Sequence, residues 1–174
     1  MRYLEIRRHS MRVKPGQHLS QEGVDLARRI GSEIGPFEFV ITSSLHRAYE
    51  TAIAMGFAVN DQLEELSYLG HGIEAEVAWD AGFAAFAAAY RQAGVTTAFV
   101  AQQAGLWRMM AEPITDGGSA LVITHGGIVE AGAVGCLPNV DHAAWGPGVS
   151  YCEGVRLHFD GENFVDVDIL RIPS

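Results

Sequence analysis

Cations are scarce in this sequence: 12 Lys and Arg stand against 21 Asp and Glu, for a formal net charge of −9 at pH 7. A surface of that sign argues against nucleic acid or an anionic membrane as partner, because both need a basic face. Cysteine is scarcer still. Cys136 and Cys152 are too few for a disulfide framework and lack metal-ligand spacing, so the expected compartment is the reduced cytoplasm. No apolar run can cross a bilayer; the longest small-apolar stretch, Ala81 to Tyr90, is far too short. There is no His-Glu-x-x-His and no carboxylate cluster of metal spacing, so neither a metal nor another cofactor is expected. A cleaved leader is excluded if His9 is functional, since cleavage would remove it. No repeat, low-complexity tail or linker divides the chain. Its 174 residues, 48% hydrophobic, read as one domain over 1–174 with a substantial core.

What the sequence does contain is concentrated. Of the few cations, three fall at positions 7, 8 and 12, around His9 in Arg7-Arg8-His9-Ser10-Met11-Arg12. This stretch follows a short strand pattern, Tyr3 to Arg7. Neighbouring guanidiniums repel an imidazolium and so keep the ring neutral and nucleophilic. The same guanidiniums suit bidentate contact with phosphate oxygens. Two further stretches pass from strand to helix with chemistry at the junction: Thr42 to Ala52, carrying Ser43 and Arg47, and Val122 to Gly127, carrying His125 and two glycines.

The remaining pattern alternates strand and helix. Leu26, Ile30 and Ile34 mark one helix face, with Ser20 as N-cap and Gly35-Pro36 as the stop. A strand is expected over Phe37 to Thr42, a helix from about Leu45 to Gly56, and a short element of open type over Asp61 to Leu66. The alanine-rich stretch from Ser67 to Gly118 reads as two helices, with Phe83, Phe86, Ala87, Tyr90 and Val100, Gln103, Trp107, Met110 at helical spacing. Such a stripe is ordinary core; two helices inserted between strands would also form a cap over a site. Ala120 to Thr124 reads as a buried parallel strand, followed by a helix to about Gly135. Strands Tyr151 to Phe159 and Phe164 to Leu170 flank Asp160-Gly161, a hairpin signal. The alternation gives an α/β fold with a mixed sheet covered on both faces.

The three junctions, in this order, resemble the histidine phosphatase superfamily, whose phosphoglycerate mutase-like branch shares an Arg-His-Gly motif, a Ser-x-Leu-x-Arg-Ala-x-x-Thr-Ala motif and a late His-Gly motif. The resemblance covers nearly the whole chain. It implies a three-layer α/β/α domain with a mostly parallel mixed sheet, a C-terminal hairpin and a short helical cap insertion at about 67–118. It implies a metal-independent phosphatase that hydrolyses phosphate monoesters of small molecules, or of phosphoproteins, through a phosphohistidine. A phosphomutase on the same intermediate and a non-catalytic phospholigand-binding protein are the alternatives.

By the same resemblance His9 is the nucleophile, while Arg8, Arg47 and His125, as an imidazolium, hold the phosphoryl oxygens. Arg12, Ser43, Ser10 and Gly126 are the substrate-binding candidates. The acid that protonates the leaving group falls on Glu65 in Leu63-Glu64-Glu65-Leu66, with Glu64 and Glu74 as the other choices. His18, His46, His142 and His158 read as surface or structural, and His71 as a loop residue. Two positions depart from the motifs: Ser10 stands for the usual Gly and Ser44 for the usual Pro. A Cβ at position 10 tolerates positive φ poorly. Pro15 stands where mutase-like members carry Asn, which weighs against a glycolytic mutase.

Overall fold

The structure, a computed structural model, describes residues 1–78 and 80–173. Among these, one six-stranded sheet is formed by β1 (Arg2–Arg8), β2 (Val40–Ser43), β3 (Asp61–Leu63), β4 (Ser119–Thr124), β5 (Gly154–Phe159) and β6 (Phe164–Leu170), in the order β3-β2-β4-β1-β5-β6. Strands β1 to β4 run parallel, β5 runs antiparallel to β1, and β6 antiparallel to β5. The helices are α1 (Gln21–Gly31), α2 (His46–Ala54), α3 (Phe83–Tyr90), α4 (Val95–Ala111) and α5 (Ile128–Cys136). This is the mixed sheet with a terminal hairpin that the alternation predicts.

Strand alternation sorts the core into two layers. Ala120 and Val122 of β4 join Leu4, Ile6 and Trp107 on one side; Leu121 and Ile123 join Ala27, Ile30 and Ala48 on the other. One layer is therefore α1 and α2. The other contains α4 and α5, and here the expected cap contracts. Trp107, Met110 and Ala111 of α4 are sheet core, so α4 is a layer helix. The overhanging part runs only from Ser67 into α3.

Element ends differ from the sequence expectation for local reasons. Ser20 caps α1 as expected, its Oγ accepting from Gly23 N–H at 3.1 Å, but α1 stops at Gly31. A Cβ on Gly31 would come 2.1 Å from the Met55 carbonyl, so α1 ends pressed against the last turn of α2. β2 starts at Val40, not Phe37; ahead of it the Glu38 carboxylate accepts from Thr115. β5 starts at Gly154, not Tyr151, because Cys152 is left-handed (φ 62) and its carbonyl accepts from Arg7 Nη1 at 2.7 Å. At the hairpin, Asp160 Oδ1 accepts from the N–H groups of Glu162 and Asn163, at 2.8 and 2.7 Å.

Candidate active site

β2, β4 and β1 are neighbours and parallel, so their carboxyl ends meet on one edge of the sheet. Arg8 pairs with Thr124 in register, and the His9 N–H donates to the Thr124 carbonyl at 2.9 Å. His9 and His125 thus emerge side by side, with ring centroids 5.0 Å apart. Ser43 ends β2, and α2 brings Arg47 in its first turn. Arg8, His9, Arg12, Arg47, His125 and Gly126 all line one cavity of about 590 Å³. A larger groove of about 840 Å³ lies between α1 and α2, walled by Val24, Tyr49 and Ile53; it contains none of these residues.

The bonding of His9 fixes which ring nitrogen carries the proton. Its Nδ1 lies 2.6 Å from the Ser10 carbonyl, an acceptor only, so Nδ1 carries the proton and donates. Nε2 then keeps its lone pair, and Arg47 Nε donates to it at 3.3 Å. Burial, with the charges of Arg47, Arg8 and Arg12 adding to it, pushes the imidazole down to about 4. The ring is neutral at neutral pH.

His125 is oriented through Ser43. Ser43 Oγ accepts from the Leu45 N–H at 3.3 Å and shares a hydrogen bond of 2.7 Å with His125 Nε2. That fixes the ring and leaves Nδ1 a buried atom with no partner among the described residues. Burial, His9 and the surrounding guanidiniums push His125 down to about 2. In the free protein the ring is therefore neutral and not the imidazolium expected from the sequence. Arg8 has a second orphan. One of its Nη donates to the Val149 carbonyl at 3.0 Å, but its buried Nε has no partner. Its guanidinium lies 4.4 Å from the Tyr151 ring centroid, and a Cβ on Gly126 would come within 3.3 Å of the unsatisfied Nε. An unmade buried hydrogen bond costs about 1–3 kcal/mol. The orphan Arg8 Nε, beside the unpartnered ring nitrogen of His125, marks a place for an acceptor-rich group, and a phosphoryl group supplies three oxygens.

The other sequence candidates fall differently. Arg12 lines the cavity, and its Nη1 donates to the Gly16 carbonyl at 2.9 Å. Ser10 is fully buried and lies outside the cavity lining; its Oγ donates to the Gly23 carbonyl at 2.7 Å. Its φ is not positive, which is why Ser fits where the motif has Gly. Ser43 acts on the cavity only through His125. Ser44 bonds Glu64 and also lies 2.8 Å from Ser67 Oγ, so the usual Pro is replaced by a hydroxyl that ties β2 to the following turn. The structure does not bring Glu65 to the cavity. The chain turns as a 3₁₀ helix over Glu64–Leu66, which buries Leu66 and leaves Glu64 and Glu65 exposed. Glu74 lines the cavity but is exposed.

Among the lining residues that escaped sequence reasoning are Ser67, Tyr151 and Glu130. Ser67 and Tyr151 carry no motif. Glu130 had a signal, a lone acid within the otherwise apolar run Gly126 to Val134. No group of His, Cys, Asp and Glu able to hold a metal occurs among the described residues, and no helix is long and apolar enough to cross a membrane.

A profile of the histidine phosphatase superfamily (branch 1) matches residues 6–169. Among solved structures, phosphoserine phosphatase from Entamoeba histolytica in complex with 3-phosphoglyceric acid superposes with a TM-score of 0.73 at 16% identity, over 99% of this chain and 98% of that one. The mycobacterial glucosyl-3-phosphoglycerate phosphatase gives 0.61 at 19% identity, over 97% and 98%. The protein histidine phosphatase SixA complexed with tungstate gives 0.59 at 17%, over 96% of each chain. No curated protein matches the sequence.

Proposed function

The chain belongs to branch 1 of the histidine phosphatase superfamily, and on that premise we propose that it hydrolyses phosphate monoesters through a phosphohistidine at His9, without a metal. The observation that carries this reading is the His9 ring. Its Nδ1 is tied to a carbonyl, its Nε2 keeps a lone pair that, among the described residues, only Arg47 Nε touches, and the ring lines a cavity shared with three arginines and the unsatisfied Arg8 Nε. Nε2 attacks phosphorus while Arg8, Arg47 and His125 spread over the equatorial oxygens. Phosphoryl transfer asks for little more than positioning and charge stabilisation. Gain of negative charge beside His125 favours its protonation as substrate binds. Water then attacks the phosphohistidine and frees phosphate and His9.

The substrate is a phosphorylated small molecule, or a phosphoprotein, met in the cytoplasm; nucleic acid and membranes are not partners of so acidic a chain. The relatives act on phosphoserine, glucosyl-3-phosphoglycerate and protein phosphohistidine. The wall of Leu69, Ile73 and Phe86 leaves an apolar surface beside the cationic end for an organic group larger than phosphate alone. A screen of phosphorylated metabolites read by phosphate release tests the reading. Transfer to a second alcohol with no free phosphate would identify a mutase, and binding without turnover a phospholigand-binding protein.

Two further outcomes are expected. EDTA leaves phosphate release unchanged, while vanadate, a mimic of the trigonal phosphoryl group, inhibits; activity lost to EDTA and restored by a divalent cation counts against the mechanism. His9 titrates near pH 4, not 6.5, when its ring protons are followed by NMR. The sign for stability follows. Between pH 6.5 and 4 the unfolded chain binds a proton that folded His9 refuses, so stability falls as pH drops through that window. His9→Ala should reduce the slope there, leaving the share that buried His125 contributes.

A further inference from the structure

Three carboxylates are buried among the described residues: Glu5, Glu130 and Glu153. Glu5 is paired with Arg7 and Arg156, and Glu153 with Arg171. Glu130 is 3% exposed and has no ion pair. It sits in the first turn of α5, the helix that follows His125, and it lines the same cavity as His9. Its hydrogen bonding is thin: Oε1 accepts from the Gly127 N–H at a long 3.3 Å. A Cβ on Gly148 would come within 3.0 Å of Oε2, so the backbone of the loop before β5 lies close against the carboxyl. Phe86, Val100 and Ile128 form the apolar cluster that packs α3 and α4 on α5. A buried carboxyl without a cation is held neutral, because desolvation penalises the charged form.

We propose that Glu130 is the proton donor of the reaction and, in the second half, the base that activates water. This rests on the phosphatase reading above. In the first half, the bond from His9 Nε2 to phosphorus forms as the ester P–O bond breaks, and the Glu130 carboxyl proton passes to the departing oxygen, which leaves as an alcohol. In the second half, a water oxygen bonds phosphorus as the P–N bond breaks. The water proton passes to the Glu130 carboxylate, and phosphate leaves with the enzyme restored.

The electrostatics agree. Burial pushes Glu130 up to about 7, against the pull of its own and the Gly127 N–H groups, of the Arg8 charge and of the Val149 N–H. An acid of that strength is matched to work near neutral pH. The titratable and charged groups lining the cavity with it are Arg8 from β1, Tyr151 from the loop before β5, and Tyr68, Glu74 and Asp80 from the overhang. His9, Arg12, Lys14, Arg47 and His125 share the cavity.

The test uses Glu130→Gln, whose amide oxygen can still accept from Gly127, so α5 keeps its start. kcat/KM is measured from pH 5 to 9 on an alkyl phosphate and on 4-nitrophenyl phosphate, whose leaving group needs no proton. The expected loss is roughly 10²–10⁴-fold on the alkyl ester and less than about tenfold on the aryl ester. Wild type should lose alkyl-ester activity above about pH 7, and that limb should vanish in the variant. Equal losses on both esters, or none, overturn the assignment, as does leaving-group dependence in Glu65→Gln or Glu74→Gln but not in Glu130→Gln. If the variant fails to fold, wild type still decides: the same pH limb on both esters, or on neither, overturns it. Wild type that turns over no ester at all overturns the phosphatase reading itself, a different result from active wild type with an indifferent variant.

Discussion

His9→Ala abolishes turnover and leaves the fold standing. The ring is only 5% exposed and contributes the one atom that no neighbour can replace, an Nε2 lone pair on a ring that lines the cavity. Ser43 binds His125 Nε2, so the second imidazole is turned away from attack. On the proposed mechanism, the variant keeps Arg8, Arg47 and His125 to bind phosphate but has nothing to transfer it to. Losing a member of a catalytic unit costs up to about 10⁶-fold, and about 10³-fold is the least expected here. The structural cost is modest, since Ala orphans the Ser10 carbonyl at about 1–3 kcal/mol and relieves a buried, depressed imidazole. Three measurements decide: phosphate release, thermal melting, and ³¹P NMR of the acid-sensitive phosphohistidine trapped in wild type. A folded variant with full activity removes His9 from the mechanism, and a phosphohistidine on the variant moves the nucleophile elsewhere.

The part of this site that could be read from the sequence lies where strands become helices. Arg8-His9, Ser43 to Arg47 and His125-Gly126 each end a parallel strand, and parallel order alone collects them on one edge. Reading them needs no side-chain packing. The acid is different, because its location depends on the local course of the chain after β3. Read as extended, Leu63 to Leu66 would send alternate residues to opposite sides; as a 3₁₀ turn, it exposes both Glu64 and Glu65. Glu130 was hidden for the opposite reason. A glutamate in the first turn of a helix is ordinary dipole complementation, and only the packing of α3, α4 and the loop before β5 around α5 shows it to be buried and unpaired. The same limit applies to the alanine-rich stretch. Its apolar stripe was visible, but the division into a layer helix α4 and an overhang ending in α3 depends on which partner each helix meets.

That division has a measurable consequence at Trp107. If α4 belonged to a cap over the cavity, replacing its central tryptophan would chiefly alter substrate binding. As a layer helix, α4 buries Trp107 completely, beside Gly132 of α5, where a Cβ would come within 2.1 Å of the indole. The indole N–H donates to Gln103 Oε1 at 3.1 Å, and Gln103 Nε2 donates to the Glu65 carbonyl at 2.8 Å. Trp107 therefore also steadies the turn that leads to Ser67, whose Oγ accepts from the Ser44 N–H at 3.0 Å. Trp107→Ala removes the largest fully buried side chain and leaves Gln103 with an unmet acceptor. The expected loss is about 3–5 kcal/mol from the cavity alone, or a fall in Tm of roughly 6–20 °C for a domain of this size. Trp107→Phe fills most of the space but cannot donate to Gln103, so it should fall between wild type and Ala. Denaturant unfolding followed by tryptophan-independent circular dichroism gives the comparison. A loss below about 1 kcal/mol in Trp107→Ala, with a raised KM as the main effect, would return α4 to the cap.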